Sequence, residues 1–77
     1  MNTENMTEFC LTIGEGVNTM LIEDSKVHRL QYDYTNTLLG HKQYLSFTAC
    51  DLEGQKANFI IPKKLLREST LVVRVKS

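Results

Sequence analysis

QYLSFTACDLEGQKANFII, residues 43–61, is the stretch that decides the fold class, because apolar and polar side chains alternate on both sides of a turn. Leu45, Phe47 and Ala49 fall on one face of its first half, residues 43–50. Residues 51–54, DLEG, are typical of a tight turn, with glycine where the backbone becomes left-handed. Residues 56–61 alternate again and pair back, so we predict an antiparallel hairpin here.

The segment nearest the start of the chain predicts a second hairpin. Residues 7–13, TEFCLTI, place Phe9, Leu11 and Ile13 on one face, as in a half-buried strand. Residues 14–16, GEG, supply two glycines for a tight turn. Residues 17–23, VNTMLIE, are then expected to form the returning strand, with Leu21 facing the core.

Three further segments complete the predicted pattern. Residues 27–35, VHRLQYDYT, alternate and predict a strand on which His28, Leu30, Tyr32 and Tyr34 share a face. Pro62 has no N–H for a ladder but suits the first position of a helix, so residues 62–68 predict one helical turn that buries Leu65 or Leu66. Residues 71–77 return to alternation, with Leu71, Val73 and Val75 inward.

The whole pattern predicts an all-β fold. We expect a small antiparallel meander of about six strands, either barrel-like or a two-layer sandwich, with one short helical turn near residues 62–68. The 77 residues form a single domain, residues 1–77, with residues 1–6 frayed. A domain this small has a thin core and often gains stability from a partner subunit.

The hydropathy of the chain, its first residues and its cysteine content indicate the cellular compartment of the protein. The chain has no apolar run near 18 residues, so we expect no membrane span, and its first residues lack the pattern of a signal peptide. Two cysteines, Cys10 and Cys50, are far from a disulfide framework. These features predict a cytoplasmic protein with reduced thiols, although a mature secreted chain without its signal peptide would show the same pattern.

Residues with catalytic or metal-binding chemistry are few and scattered. Cys10, His28, His41 and Cys50 do not form the close pairs that structural zinc sites use. No Cys–His pair has a third group placed to orient the histidine, and no glycine-rich phosphate loop opens a helix. We therefore expect no catalytic residues, no metal and no cofactor, and we predict that the protein is not an enzyme.

Apolar residues outnumber what one core face needs, and this excess favours protein binding. The surplus residues lie opposite predicted core neighbours or in the polar loop 35–43; they are Met20, Ile22, Leu38, Leu39, Ile60 and Val72. A second apolar face on a small sheet is either a second internal layer or a partner surface. On the second interpretation the chain is a regulatory or accessory module that binds protein and self-associates, for example as a homodimer.

The uneven charge suggests an alternative, single-stranded nucleic acid. Residues 1–40 carry six acidic and two basic side chains, whereas residues 41–77 carry three acidic and seven basic ones. The candidate surface comprises Lys42, Tyr44, Lys56, Lys63, Lys64, Arg67, Arg74 and Lys76. Small β-barrels bind single strands through basic grooves with exposed aromatics, and this surface would be continuous if the last strand lay beside residues 56–61. A net charge of zero argues against a site dominated by phosphate contacts.

Overall fold

The computed structural model describes residues 5–74, and these residues form mostly antiparallel sheet. In chain order the elements are β1 (Met6–Ile13), β2 (Gly16–Glu23), a 3₁₀ turn (Asp24–Lys26), α1 (Val27–Leu38), β3 (Tyr44–Cys50), β4 (Lys56–Pro62), α2 (Lys63–Leu66) and β5 (Ser69–Val73). Neither helix within residues 5–74 is long and apolar enough to cross a membrane.

The five strands are ordered β4-β3-β2-β1-β5, and each neighbouring pair is antiparallel. The predicted antiparallel sheet is therefore confirmed. Two finer expectations are wrong: residues 5–74 contain five strands rather than six, and the sheet does not close into a barrel, because β4 and β5 lie at opposite ends of the strand order without pairing. The strands belong to one sheet, and α1 contributes Leu30 to the core that this sheet encloses.

The sheet must be strongly bent. β2 and β3 are joined at one register pair, Leu21 with Cys50, so most of the β3–β4 hairpin projects beyond the end of β2. In a flat sheet Pro62 and Ser69 would lie roughly 35 Å or more apart along the strand direction. The intervening residues 63–68 include a helical turn, and even fully extended they reach only about 24 Å. The β3–β4 hairpin therefore curls over the other three strands.

Bending creates a concave face that holds the core and a convex face that does not. On the concave face Phe47 packs edge-on against Phe9, with ring centroids 5.8 Å apart, and stacks on Phe59 at 5.3 Å. The buried apolar cluster consists of Phe9, Leu11, Met20, Ile22, Leu30, Leu45, Phe47, Ala49, Ile61 and Leu66. Leu30 comes from α1 and Leu66 from α2, so the two helices cover what the bent sheet leaves open.

The segment predicted as a strand over residues 27–35 is a helix, so that prediction is wrong. Val27, Leu30, Tyr34 and Thr37 face the core at helical spacing, whereas His28 and Tyr32 are exposed. Buried Thr37 donates its hydroxyl to the Asp33 carbonyl at 2.7 Å, which satisfies it inside the helix. The alternation of residues 27–34 matched a strand because His28, Leu30, Tyr32 and Tyr34 occupy every second position and because valine and tyrosine favour strands.

The predicted facing of β2 is also wrong. Met20 and Ile22 are 4% and 3% exposed and lie in the core, while Leu21 is on the convex face. The two-residue turn at Gly14 and Glu15 fixes the register that pairs Phe9 with Met20, and directly paired residues point to the same face. Because three successive residues of β2 are apolar, the sequence of this strand does not show which of its two faces is buried.

Both predicted turns are confirmed. Gly14 and Gly54 have φ of +59° and +91°, in the left-handed region that favours glycine. In the 51–54 turn the Asp51 carboxylate accepts hydrogen bonds from the N–H groups of Glu53 and Gln55, each at 2.9 Å. This arrangement fixes the β3–β4 hairpin that the sequence predicted most clearly.

The end of the chain follows the prediction as far as the structure describes it. β4 ends at Pro62, α2 occupies Lys63–Leu66, and Leu66 rather than Leu65 is fully buried. β5 spans Ser69–Val73. Val75 and Lys76 lie outside the described residues, as do residues 1–4 of the segment predicted to be frayed, whereas Met6 begins β1.

Candidate functional site

The predicted apolar interface is divided by the fold. Ile60 and Val72 are 63% and 53% exposed on the convex face, one on β4 and the other on β5, at opposite ends of the strand order. Leu38 and Leu39 are exposed at the end of α1. Met20 and Ile22 are core residues and belong to no surface. The six residues therefore do not form one patch.

The predicted basic surface is dispersed too. Lys56 lies on β4, Lys63, Lys64 and Arg67 lie in or next to α2, and Arg74 follows β5, while Lys76 lies outside the described residues. The condition that would have joined them, β5 beside β4, is not met. Arg74 forms an ion pair with Glu8, and Lys42 forms one with Asp33 at 2.9 Å. Tyr44 is exposed on the convex face of β3.

The residues considered for metal or nucleophilic chemistry do not converge. Cys10 on β1 and Cys50 on β3 are both free thiols, with β2 between their strands. Cys10 Sγ lies 3.3 Å from the hydroxyl of Thr19, and Cys50 is buried. Within residues 5–74 no three His, Cys, Asp or Glu side chains are grouped as metal ligands.

The outer edge of β5 was not recognised from the sequence, and it is the first notable feature. Arg74 N–H donates to the Glu8 carbonyl and Gly14 N–H to the Glu68 carbonyl, so even-numbered residues of β5 face β1. The main-chain groups of Ser69, Leu71 and Val73 therefore point outward. Among the described residues, the outward N–H and C=O of Leu71 and Val73 have no hydrogen-bond partner.

Composition distinguishes this edge from the opposite one. β4 carries Lys56 and Pro62, two residue types that protect an edge strand from pairing with another chain. β5 is STLVV, with neither charge nor proline. Its flanking charges, Glu68 and Arg74, each lie three residues from Leu71. The lack of protection is visible in the sequence, but the outer position of β5 is not.

A trench between α1 and β3 is the second feature. One wall consists of Lys26, Arg29 and Asp33, and the opposite wall consists of Ser46 and Thr48. The floor is formed by Ile22, Leu30 and Phe47. One end of the trench reaches Lys42, Gln43 and Tyr44. Two adjoining cavities of about 450 and 320 Å³ make up this trench. A third cavity, beside Cys50, is about 30 Å³ and has room for little more than a water molecule.

Asp33 organises the charges of the trench. Its Oδ1 accepts a hydrogen bond from Lys42 Nζ at 2.9 Å and its Oδ2 from Arg29 Nε at 3.1 Å. Desolvation acts to raise the pKa of Asp33, but the hydrogen bonds and positive charges of Lys42 and Arg29 outweigh it and hold that pKa below 3.8. One carboxylate thus faces two cations and leaves one positive charge unbalanced.

Comparison with protein-family models, with curated proteins and with solved structures finds no match for this chain. The β5 edge and the trench are therefore the features of the molecule that bear on its function.

Proposed function

We propose that this protein is a non-enzymatic protein-binding module that self-associates, with two copies pairing through the outer edges of β5. The observation that carries the proposal is the row of outward main-chain groups at Leu71 and Val73, which have no partner within residues 5–74 and lie on a strand that contains neither charge nor proline. Edge strands of this kind readily add a strand from another chain. Since two identical edges can face each other about a two-fold axis, a second copy is the simplest partner.

Because the odd-numbered residues of β5 point their main-chain groups outward, one antiparallel register between the two copies is favoured. A two-fold axis at Leu71 makes that residue pair with itself, and it pairs Ser69 with Val73 of the second copy. All three of these residues point their N–H and C=O groups outward, so the register forms about six main-chain hydrogen bonds. The Ser69 carbonyl, which lies 3.2 Å from the Tyr34 hydroxyl, retains a second lone pair for this bond.

The side chains support the same register. It sets Glu68 opposite Arg74 of the second copy, twice, and Thr70 opposite Val72. A register centred on Ser69 would set Glu68 opposite Thr70, and one centred on Val73 would set Arg74 opposite Val72. Only the Leu71 register faces opposite charges toward each other, and such complementarity fixes register more than it adds affinity.

A regulatory or accessory role in the cytoplasm is part of this proposal. The two free thiols fit a reducing compartment. A dimer would also extend a thin core, since small domains gain stability when a partner covers surface that the monomer cannot bury.

Sedimentation velocity of Val72→Lys and Ile60→Lys tests the proposal with a matched pair. Both replace an exposed β-branched residue on the convex face of an outer strand, but only Val72 lies on β5. We expect the wild type to dimerise as its concentration rises from about 5 to 500 µM. Val72→Lys should weaken dimerisation by about tenfold or more, because it sets a lysine on the paired edge opposite Thr70 of the second copy and diagonal to its own symmetry mate.

Ile60→Lys should leave the dimerisation constant within about twofold of the wild type. A wild type that stays monomeric at the highest concentration would refute self-association. Equal effects of the two lysines would refute the β5 edge as its site.

Single-stranded nucleic-acid binding has weaker support, because its candidate cations are spread over several elements and two of them already hold carboxylates. Titration of a labelled oligonucleotide at about 50 and 200 mM salt tests it. Tight binding that falls steeply with salt would favour this alternative over protein binding.

A further inference from the structure

We propose that the trench between α1 and β3 binds an extended, acidic segment of a partner protein, which adds to the free edge of β3 as a short strand. This site is separate from the β5 edge and does not depend on self-association.

The first support is the direction in which the main-chain groups of β3 point. Lys63 N–H donates to the Gln43 carbonyl and Asp51 N–H to the Gln55 carbonyl, so odd-numbered residues of β3 bond to β4. The main-chain groups of the even-numbered residues therefore point toward β2. Leu21 pairs with Cys50, and the Thr37 hydroxyl lies 3.5 Å from the Tyr44 carbonyl. Between these two positions, Ser46 and Thr48 have no register partner on β2 within the described residues.

The second support is the space beside those groups. β2 and β3 separate after their single register pair, which leaves a gap beside β3. α1 lies on the other side of this gap, and the two cavities occupy the space between α1 and β3. Leu30 and Phe47 form an apolar floor beneath Ser46. An extended segment there would alternate, with one side chain against the floor and the next at the rim.

The third support is charge, which identifies the occupant. Arg29 lines the trench, is 76% exposed and bonds Asp33 through Nε, so its terminal nitrogens have no hydrogen-bond partner among residues 5–74. Lys42 also keeps donors beyond its bond to Asp33. Lys26 at the other end is paired with Glu23 at 3.3 Å, which confines the unbalanced positive charge to Arg29 and Lys42. A carboxylate on the incoming segment complements them, and main-chain bonding to Ser46 and Thr48 requires a peptide.

Amide chemical shifts of the ¹⁵N-labelled full chain test the site with three probes. The first is a blocked peptide of about six residues that alternates valine and glutamate, the second has lysine in place of glutamate, and the third is an oligothymidylate of similar length. We expect the glutamate peptide at about 1 mM to shift the amides of Ser46 and Thr48, and the other two probes to leave them unchanged.

Two charge reversals complete the test. Arg29→Glu should weaken binding of the glutamate peptide by about three- to tenfold, whereas Lys64→Glu, an equal charge change on α2, should not. Failure of the glutamate peptide to shift Ser46 and Thr48 would overturn the proposal, and so would equal shifts by the lysine peptide. Shifts confined to Leu71 and Val73 would assign the peptide to the β5 edge, and shifts caused only by the oligothymidylate would assign the trench to nucleic acid.

Discussion

The Tyr34 hydroxyl shares its proton between Ser69 Oγ at 2.9 Å and the Ser69 carbonyl at 3.2 Å, and it thereby joins α1 to the first residue of β5. The direction follows from the Ser69 proton, which is committed to the Leu66 carbonyl at 2.6 Å. One short chain of hydrogen bonds thus links the helix over the core, the last turn of α2 and the strand that forms the free edge. The position of that edge depends on a helix far away in sequence.

Removing this hydroxyl should loosen the start of β5. We predict that Tyr34→Phe lowers the free energy of unfolding by about 1 kcal/mol, because Ser69 loses a part-buried donor. Urea unfolding of Tyr34→Phe, Ser69→Ala and the double variant measures the coupling, which should be about 0.5–1.5 kcal/mol. Strictly additive effects would show that the two side chains do not interact.

The helical state of residues 27–38 predicts very different effects for two neighbours. Leu30 is 2% exposed and Tyr32 is 66% exposed. Leu30→Ala should cost about 2–5 kcal/mol through lost burial and a cavity, whereas Tyr32→Ala should cost under about 1 kcal/mol. Thermal or urea unfolding distinguishes them. Similar large losses at both positions would instead fit a strand on which they share a buried face.

The ion pairs of Asp33 predict a stability effect confined to one pH range. Because its pKa is lower folded than unfolded, the ionised carboxylate stabilises the fold above about pH 4, and this contribution is lost as the pH falls through the folded value. At neutral pH, Asp33→Asn should cost about 0.5–1 kcal/mol.

The cost of Asp33→Asn should shrink as the pH is lowered below about 4, where the wild-type carboxyl becomes protonated. Glu53→Gln, at an exposed carboxylate without an ion pair among residues 5–74, serves as the control and should change stability by less than about 0.5 kcal/mol. A cost for Asp33→Asn that stays constant down to pH 3 would contradict the assigned ion pairs.

The sequence predicts most of the strands of the sheet, but it predicts neither the facing of β2 nor the helix α1 that packs on the core. The hairpin around DLEG is specified locally, since alternation, turn chemistry and Gly54 all agree. The facing of β2 is not local, because Met20, Leu21 and Ile22 are all apolar and only the Gly14 turn sets their register. α1 was missed because Leu30, Tyr32 and Tyr34 occupy alternate positions and so fit a strand over this short segment. Its core positions, Val27, Leu30 and Tyr34, instead have helical spacing.

The candidate sites were beyond the sequence for a different reason. The sequence shows that STLVV carries no charge, but an uncharged strand is ordinary in the middle of a sheet and is unusual only at an edge. Strand order decides which it is. Likewise, the trench exists because β2 and β3 share a single register pair, a three-dimensional outcome that no local pattern encodes.

Sedimentation of two charge-reversed variants, each alone and then mixed, tests the Leu71 register. Glu68→Arg alone sets two arginines against each other at both ends of the paired edges, and Arg74→Glu alone does the same with two glutamates. In a heterodimer of the two variants, every such contact joins opposite charges.

We predict that each variant alone dimerises at least about fivefold more weakly than the wild type, and that an equimolar mixture recovers the wild-type constant to within about threefold. Circular dichroism of each variant establishes that it is folded. A mixture that associates no better than its two components would contradict the account.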